Sequence, residues 1–298
     1  MGFERGLKGV GAEGAQCDAE ETEHSGRERG EASGTGHGNQ RVDNPSKTNL
    51  PLAMRASFSF AFCLMAVPLI AADGDWTRGA AATAESKLVR RGIEHAGASV
   101  APAVWLTDET WRVGVHAAVP FENASGSEFG MNASYTRALE SGVKLGGEVA
   151  HVRWGDASFG HPSHTTEFAA FMSFPSGPGR VTVRLARDVE RRADIGELSY
   201  AGEYALKAWG AFLNYHLYAG SVAADDVLPR SVAPAPRVTD AYTYHGIDLT
   251  LPYRVGGQTV VTAGVHYAGT NGARPFWSPS GAAPGAKVWL SLAASYEF

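Results

Sequence analysis

Charged, amide and histidine side chains recur at alternate positions of apolar segments in the last two thirds of the chain. Within each segment the polar residues share one parity and the apolar residues share the other. Opposed acidic and basic groups around a water-filled interior attract or exclude ions and bind small polar solutes. The candidates for such a pore lining are Arg112, His116, Glu128, Lys144, Glu148, Glu167, Arg184, Asp248 and Lys287.

Two roles stay open for these candidates. Three basic residues, Arg112, Lys144 and Arg184, would set ion preference against acidic residues of the same parity. Charges inside a barrel can equally be held in structural ion pairs that leave nothing free to meet a solute. The alternation fits both roles, so it predicts where these side chains point and leaves their task undecided.

Six glycines have the parity of the polar residues and interrupt the segments: Gly114, Gly130, Gly146, Gly210, Gly246 and Gly264. Each removes a side chain from the predicted interior, which could widen a passage. Each could instead relieve strain where strands coil, or make room for a neighbouring aromatic ring. Both interpretations remain open from the sequence.

The last segment, residues 287–298, shows the alternation most clearly and ends on an aromatic residue. Its apolar face is about ten residues long, which is the length that a tilted transmembrane β-strand needs to cross a bilayer. We therefore interpret it as the closing strand of an outer-membrane barrel. Tyr296 and Phe298 are expected to belong to the signal that the barrel-assembly machinery reads.

Twelve such segments follow one another between residues 73 and 298, joined by alternately short and long connections. This arrangement predicts an all-β fold, a transmembrane antiparallel up-and-down β-barrel of twelve strands. Aromatic residues expected at the short-turn ends are Trp111, Tyr135, Phe174, Tyr204, Trp209, Tyr296 and Phe298. A soluble β-sandwich or lipocalin-like barrel also alternates, but it requires neither this aromatic belt nor the alternating loop lengths.

Residues 54–72 have the order of a secretory signal peptide. Met54 and Arg55 precede an apolar run over residues 58–70, and the small residue Ala72 marks the expected cleavage site. The run is shorter than the roughly 20 residues of a transmembrane helix. Residues 1–53 are polar and Gly-rich and are expected to be disordered. We hypothesise that Met54 is the true start of translation.

Composition excludes several classes of partner. Cys17 and Cys63 both precede the expected cleavage site, so the exported chain is expected to have no disulfide or thiol chemistry. The formal net charge of −5 does not favour binding to nucleic acid. No Gly-rich phosphate loop follows a strand and opens a helix, and we expect no cofactor.

Enzyme chemistry finds little support in the sequence. The stretch from His161 to Ser163 is the nearest match to the Ser-His-Asn arrangement of outer-membrane phospholipases, but the chain has no Asn between Asn132 and Asn214. A polar loop that contains proline is also a poor place for a nucleophile that must meet lipid. His161 and His164 could share a metal ion, yet they lack further nearby ligands. We expect neither catalytic activity nor a metal site.

The segment over residues 86–93 resembles the opening of the TorF-like family of outer-membrane porins. That family begins with a Ser, an aromatic residue two positions later, and an Arg-Gly pair before the first outer loop. Ser86, Arg91 and Gly92 match, whereas Leu88 and Arg90 stand where the family usually has aromatics. The resemblance implies a small outer-membrane barrel of porin type and supplies no catalytic residue.

Together these features predict a protein exported to the bacterial outer membrane, where it is a passive pore for small polar solutes or ions. Its expected partners are outer-membrane lipid, lipopolysaccharide, the barrel-assembly machinery and the solutes themselves. The alternative is a non-conducting barrel that binds a partner or lipopolysaccharide through outer loops, above all Gly220–Asp240 and Gly269–Gly285. A phospholipase-like hydrolase is the least favoured alternative.

Overall fold

The structure is a computed structural model that describes residues 76–122, 127–155, 162–207, 210–225 and 239–298. The predicted leader, residues 1–53, and the predicted signal peptide, residues 54–72, lie outside the described residues. Within these ranges no helix is long and apolar enough to cross a membrane.

The described chain is built almost entirely from β-strands. In chain order they are β1 (Thr77–Glu85), β2 (Leu88–Arg90), β3 (Ile93–Ala96), β4 (Ser99–Thr107), β5 (Trp111–Pro120), β6 (Ser127–Ala138), β7 (Lys144–Gly155), β8 (His164–Ser176), β9 (Gly179–Asp188), β10 (Ala193–Leu206), β11 (Ala211–Ala224), β12 (Asp240–Arg254), β13 (Thr259–Asn271) and β14 (Lys287–Glu297). Twelve of them close into one antiparallel barrel, in which β1 pairs with both β4 and β14. The predicted twelve-stranded antiparallel barrel is confirmed.

Strand pairing sorts the side chains into two faces. Residues directly opposite one another in an antiparallel ladder point to the same side, so Thr107 shares a face with Arg112 and Ala201 shares a face with His216. The opposite face carries large apolar side chains that remain exposed, for example Leu185 at 65% and Leu290 at 58%. An apolar exterior around a polar interior is the reverse of a soluble domain and is typical of a transmembrane barrel.

The two ends of the barrel differ in their connections. At one end, here the short-turn end, the links are residues 108–110, 139–143, 177–178, 207–210 and 255–258. At the other, the loop end, the links are residues 86–98, 121–126, 156–163, 189–192, 225–239 and 272–286. Strands therefore extend further into the predicted loops Gly220–Asp240 and Gly269–Gly285 than their composition indicated.

Aromatic side chains gather at the short-turn end, where the sequence places them. The rings of Trp111 and Tyr135 meet edge to face, with centroids 5.1 Å apart. Those of Tyr296 and Phe298 lie 5.5 Å apart on the closing strand. Trp209, expected in the same belt, lies outside the described residues. Such rings are suited to the boundary between lipid and water.

The first loop-end connection folds into the barrel. Residues 88–96 form a two-stranded hairpin, β2–β3, whose two-residue turn has positive φ at Arg91 (48°) and at Gly92 (75°). These angles belong to the type I′ turn, whose twist matches that of the paired strands. Alternation alone places Leu88 on the lipid face of the first wall strand, and this is wrong, because β1 ends at Glu85 and Leu88 is buried on the hairpin. Ile93, which the sequence places in the first outer link, does lie in this connection and is buried against the barrel interior.

The loop end also holds the main buried apolar cluster. Ile93 of the hairpin and Trp277 of the 272–286 connection pack against inward side chains of β9 to β12, including Tyr242 and Tyr244. The indole Nε1 of Trp277 donates a hydrogen bond to Asp240 over 2.8 Å. This apolar cluster therefore lies inside the barrel at the loop end, where it holds the hairpin and the 272–286 connection in contact.

Candidate functional site

Two cavities lie on either side of the hairpin, lined by residues in the described ranges of the barrel interior. The cavity towards the short-turn end, which we call the lower cavity, has a volume of about 880 Å³ and extends from the hairpin to Gly177 and Pro178. The cavity towards the loop end, which we call the upper cavity, has a volume of about 470 Å³ and lies between the hairpin and the inward faces of β5 to β12. Both volumes fall in the range of sites that hold small molecules.

The two cavities meet at a shared set of side chains. Five residues line both of them, and we call this set the junction: Val89, Arg90, His216, Asp248 and Trp289. Arg90 and Val89 come from the hairpin, while the other three come from β11, β12 and β14. A solute that passes from one cavity to the other must pass these side chains.

Ion pairs fasten the hairpin to the wall on several sides. Arg90 donates to Glu128 of β6, and Arg91 Nη2 lies 2.8 Å from Glu167 of β8. On the opposite side, Lys287 Nζ of β14 lies 3.3 Å from Glu94. The backbone oxygen of Glu94 also accepts a hydrogen bond from the hydroxyl of Ser278 in the last loop. Removing one member of such a buried pair leaves an uncompensated charge, so these contacts hold the hairpin in place.

Several groups of the hairpin have shifted pKa values, among them Arg90 and His95. The negative charge of Glu128 raises the pKa of Arg90, which stays protonated at any physiological pH. Burial lowers the pKa of His95 to about 3, because removing the imidazolium from water is unfavourable. His95 is therefore neutral around and above pH 5 and does not act as a charge in the upper cavity.

A chain of hydrogen bonds runs along the inner face of the wall at the junction, from β11 to β14. Asp248 Oδ2 lies 3.1 Å from His216 Nδ1, and Asp248 Oδ1 lies 2.8 Å from His266 Nδ1. The other ring nitrogen of His266, Nε2, is 2.8 Å from Ser291 Oγ. The His266 ring stacks on Trp289, with an interplanar angle of 14°. One carboxylate on β12 thus orients histidines from both neighbouring strands.

Ser291, His266 and Asp248 follow the order of an acyl-transfer triad, but the surroundings lack the rest of such a site. A triad needs N–H donors aimed at the developing oxyanion. Ser291 is paired with Glu85 on one side and Gly264 on the other, so the neighbouring backbone N–H groups belong to the ladder. The three residues form a hydrogen-bonded chain, and this chain lacks an oxyanion hole formed by the strand backbone.

All nine predicted lining residues lie on the inward face, and most are paired. Arg184 Nη2 contacts Glu167 at 2.6 Å and Glu148 at 3.4 Å. Glu128 accepts from Arg90 and lies 3.2 Å from His116 Nε2. The remaining two, Arg112 and Lys144, lie near the short-turn end.

These two cations are placed differently from the paired ones. The guanidinium of Arg112 lies over the Trp105 ring at 5.1 Å, where the aromatic face attracts a cation. Lys144 is exposed and has no carboxylate within 4.0 Å among the residues that the structure describes. Arg112 and Lys144 therefore lie at the short-turn end, apart from the ion pairs of the hairpin, and their role in ion preference stays a prediction.

The sequence missed the hairpin residues of the junction. Alternation alone does not separate Arg90 and Arg91 from the first wall strand, because it gives no sign of a turn. The local signal is Gly92, because a type I′ turn favours glycine at its second central position, but Arg91 stands where such turns usually have Asn, Asp or Gly. The shared contact of Asp248 with His216 and His266 could not be found without the strand register, which places the three side by side.

The inward glycines make room for neighbouring side chains. A Cβ at Gly130 would lie 2.3 Å from the His116 ring, and one at Gly146 would lie 2.2 Å from Phe171. Gly246 is covered by Tyr218 in the same way. The packing interpretation therefore applies to these positions. Gly210 was expected within a strand, but it lies in the turn before β11.

The histidines expected to share a metal are only partly described. His161 lies outside the described residues. His164 is on the outward-facing surface, with its ring centroid 5.8 Å from that of His151 and its Nε2 3.8 Å from Glu190. In the described ranges no group of three or more histidine, cysteine or acidic side chains could hold a metal ion.

Comparison with known proteins finds similar folds at low sequence identity. An outer membrane channel from Pseudomonas putida F1 is 10% identical over 76% of this chain and 97% of its own, with a TM-score of 0.45. The NanC porin is 8% identical over 74% and 98%, also at 0.45. A loop-deletion mutant of OmpT from Vibrio cholerae is 9% identical over 75% and 98%, at 0.37. Neither a protein-family model nor a curated relative matches the chain.

Proposed function

We propose that the protein is an outer-membrane porin through which small polar solutes or ions diffuse passively. The observation that carries the proposal is a closed barrel with an apolar exterior and a charged interior, enclosing two adjoining cavities. Charged groups are tolerated inside a membrane-spanning structure when they face water or one another. Two adjoining cavities lined by polar side chains support the passage of a solute through the barrel rather than its retention inside.

The location is part of the proposal. The exposed apolar side chains on the outer face favour a lipid environment. A closed barrel also pairs the backbone N–H and C=O groups of every strand, which the bilayer interior requires because it has no water to bind them. The expected signal peptide would direct the chain through export, and Tyr296 and Phe298 of the closing segment would be recognised by the barrel-assembly machinery of the bacterial outer membrane. An even number of strands places both chain ends in the periplasm, so the short-turn end faces inward and the loop end outward.

The hairpin sets the size limit of the proposed pore. Twelve strands enclose an interior between the filled core of eight-stranded barrels and the open channel of porins with 16 to 18 strands. Here the hairpin and Trp277 occupy part of that interior at the loop end. Small solutes fit the remaining cavities, whereas polymers do not. Membership of the TorF-like family belongs to the same proposal, supported by Ser86, Arg91 and Gly92.

Recording from planar lipid bilayers tests the pore. Refolded protein without the first 72 residues should produce stepwise, reproducible unit conductances in potassium chloride, because an aqueous path with few free charges conducts weakly but steadily. Heat-denatured protein serves as the control. A correctly folded barrel that never conducts would contradict the proposal.

Such a result would favour the non-conducting alternative. In that case the 272–286 loop and the hairpin would form a closed outer surface that binds lipopolysaccharide or another partner. The observation in favour of this alternative is the buried contact between these two segments at the loop end, where Ser278 donates to the backbone oxygen of Glu94. Binding of lipopolysaccharide vesicles to the non-conducting protein would then be the property to measure.

A further inference from the structure

The charged side chains of the lower cavity come from two different parts of the wall. Arg180 of β9 lines this cavity together with three carboxylates, which are Glu85 of β1, Glu203 of β10 and Asp248 of β12. Around the barrel, β10 to β14 and β1 follow one another without interruption, and β4 to β9 make up the rest. The carboxylates therefore belong to one half of the wall, here the acidic half, and Arg180 to the other, the basic half.

Other side chains of the basic half show the same division. Arg112 of β5 and Lys144 of β7 point inward at the short-turn end, and neither has a carboxylate within 4.0 Å in the described ranges. The inward carboxylates of this half, Glu128, Glu148 and Glu167, are instead held by arginines. The charges that remain without an opposite partner on β5 to β9 in these ranges are therefore positive.

One cation of the acidic half lies apart from this cavity. Arg254 is the last residue of β12, and its Nη1 donates to the backbone oxygen of Gly257 in the adjoining turn over 2.9 Å. It is not among the residues that line the lower cavity. The division between the two halves therefore holds for the cavity itself.

Neutral acceptors hold the guanidinium of Arg180 and leave part of it free. Its Nε donates to the Ser173 hydroxyl over 3.1 Å, and its Nη2 donates to the backbone oxygens of Ser173, at 3.0 Å, and Gly142, at 2.9 Å. The two N–H groups of Nη1 have no acceptor among the residues that the structure describes. Since none of the acceptors is charged, the positive charge of Arg180 is oriented without being neutralised.

Arg180 and Glu203 lie near each other without forming an ion pair. Arg180 is opposite Ala201 in the ladder, and Glu203 follows two residues later on the same face. The guanidinium is turned towards β8 and the 139–143 turn, and no nitrogen of it lies within 4.0 Å of the Glu203 carboxylate. Glu85 likewise forms no ion pair in the described ranges. The cavity thus offers a cation and two carboxylates that a solute can contact.

Resting on the proposed porin function, we propose that the lower cavity binds small zwitterions that carry one ammonium and one carboxylate group, as a free amino acid does. The solute carboxylate accepts hydrogen bonds from Nη1 of Arg180, while its ammonium group donates to Glu203 or Glu85, and both contacts are charge-assisted. A sugar brings no charge to either side, and a solute with a single charge matches only one of them. The volume of about 880 Å³ accommodates an amino acid with its water.

Blockage of the ionic current by L-serine tests this site. In planar bilayers in 0.1 M potassium chloride, L-serine should reduce the unit conductance of the unaltered protein, with half of the effect at about 1–10 mM. Glycerol, which is of similar size and uncharged, should have no effect at the same concentrations. Propionate and propylammonium each carry one of the two charges and should require at least tenfold higher concentrations. Equal potency of propionate or of glycerol would overturn the proposal.

Two variants remove one side of the site each. Arg180→Gln and Glu203→Gln should both raise the half-maximal concentration of L-serine by about tenfold, because each variant loses one charge-assisted contact. The matched controls are Arg137→Gln and Glu140→Gln. Arg137 lies opposite the outward-facing Leu145, and Glu140 lies in the 139–143 turn, so both controls should keep the potency of the unaltered protein. Unchanged potency in both site variants, or an equal loss in the controls, would show that the assignment is wrong.

The proposed function and this inference fail in different ways. Absence of conductance from folded protein overturns the porin function, and the inference with it. Steady conductance that L-serine does not reduce overturns the inference alone. Heat-modifiable gel migration of each variant shows whether the barrel has formed before it is recorded.

Discussion

Gly92 is the position at which the turn of the hairpin contacts β13 of the barrel wall. Its φ is +75°, and a Cβ built there would lie 2.5 Å from Thr270 Cγ2 and 2.9 Å from the Gly269 oxygen. An L side chain is therefore opposed both by the backbone conformation and by the neighbouring strand. This single position couples the turn of the hairpin to β13.

The substitution Gly92→Ala should loosen the hairpin and leave the barrel intact. Left-handed strain and the close contacts together should cost about 1–3 kcal/mol of hairpin docking. Hydrogen–deuterium exchange should accelerate in residues 86–98 and stay slow in the wall strands. Gly97→Ala is the matched control, since a Cβ there meets nothing within 4 Å. Equal exchange in the two variants would contradict this account of the turn.

Single residues also show how far the sequence can be interpreted. Alternation predicts the side of the wall to which Arg184, Glu148 and Glu167 point, because parity depends only on neighbours along the chain. It does not predict that Arg184 contacts both carboxylates, since their strands are brought together by a register that spans many residues. The direction of a side chain is set by its neighbours along the chain, whereas its ion-pair partner depends on how the strands pair in the closed barrel.

Strand periodicity was informative for the wall and misleading for the hairpin. Glu85 and Lys87 alternate with Ala84 and Leu88, so the alternation of the first segment runs past the end of β1 into the hairpin. A strand that continues and a strand that turns inward have the same period of two. Only the partners of Arg90 and Arg91, on β6 and β8, reveal that this segment leaves the wall.

Removal of the hairpin should enlarge the passage. Glu85 and Ser99 are paired across β1 and β4, so a short Gly-Ser turn can replace residues 87–97 without straining the wall. Because the hairpin separates the two cavities, its loss should raise single-channel conductance severalfold. Replacing the 139–143 turn, at the opposite end, by Gly and Ser is the control and should leave conductance unchanged. A hairpin-free barrel that conducts no better would show that the hairpin does not limit flow.

The whole molecule inverts the usual arrangement of a soluble protein. Exposed apolar side chains cover the outside, and ion pairs, histidines and the hairpin fill the inside. Most of the inward charges in the described ranges are neutralised by partners, so ion preference is expected to depend on cations without an acidic partner there, such as Lys144. The shape of the passage, rather than a dense ring of charge, should decide which solutes pass.

Swelling of liposomes in neutral sugars tests the passage itself most directly, since it depends on size and not on charge. Liposomes containing the refolded barrel should swell rapidly in a pentose and progressively more slowly in di-, tri- and tetrasaccharides, because the hairpin and the junction narrow the interior. Liposomes without protein give the baseline. If swelling in the pentose stays at that baseline although the barrel is folded and inserted, the protein is not a pore for small polar solutes.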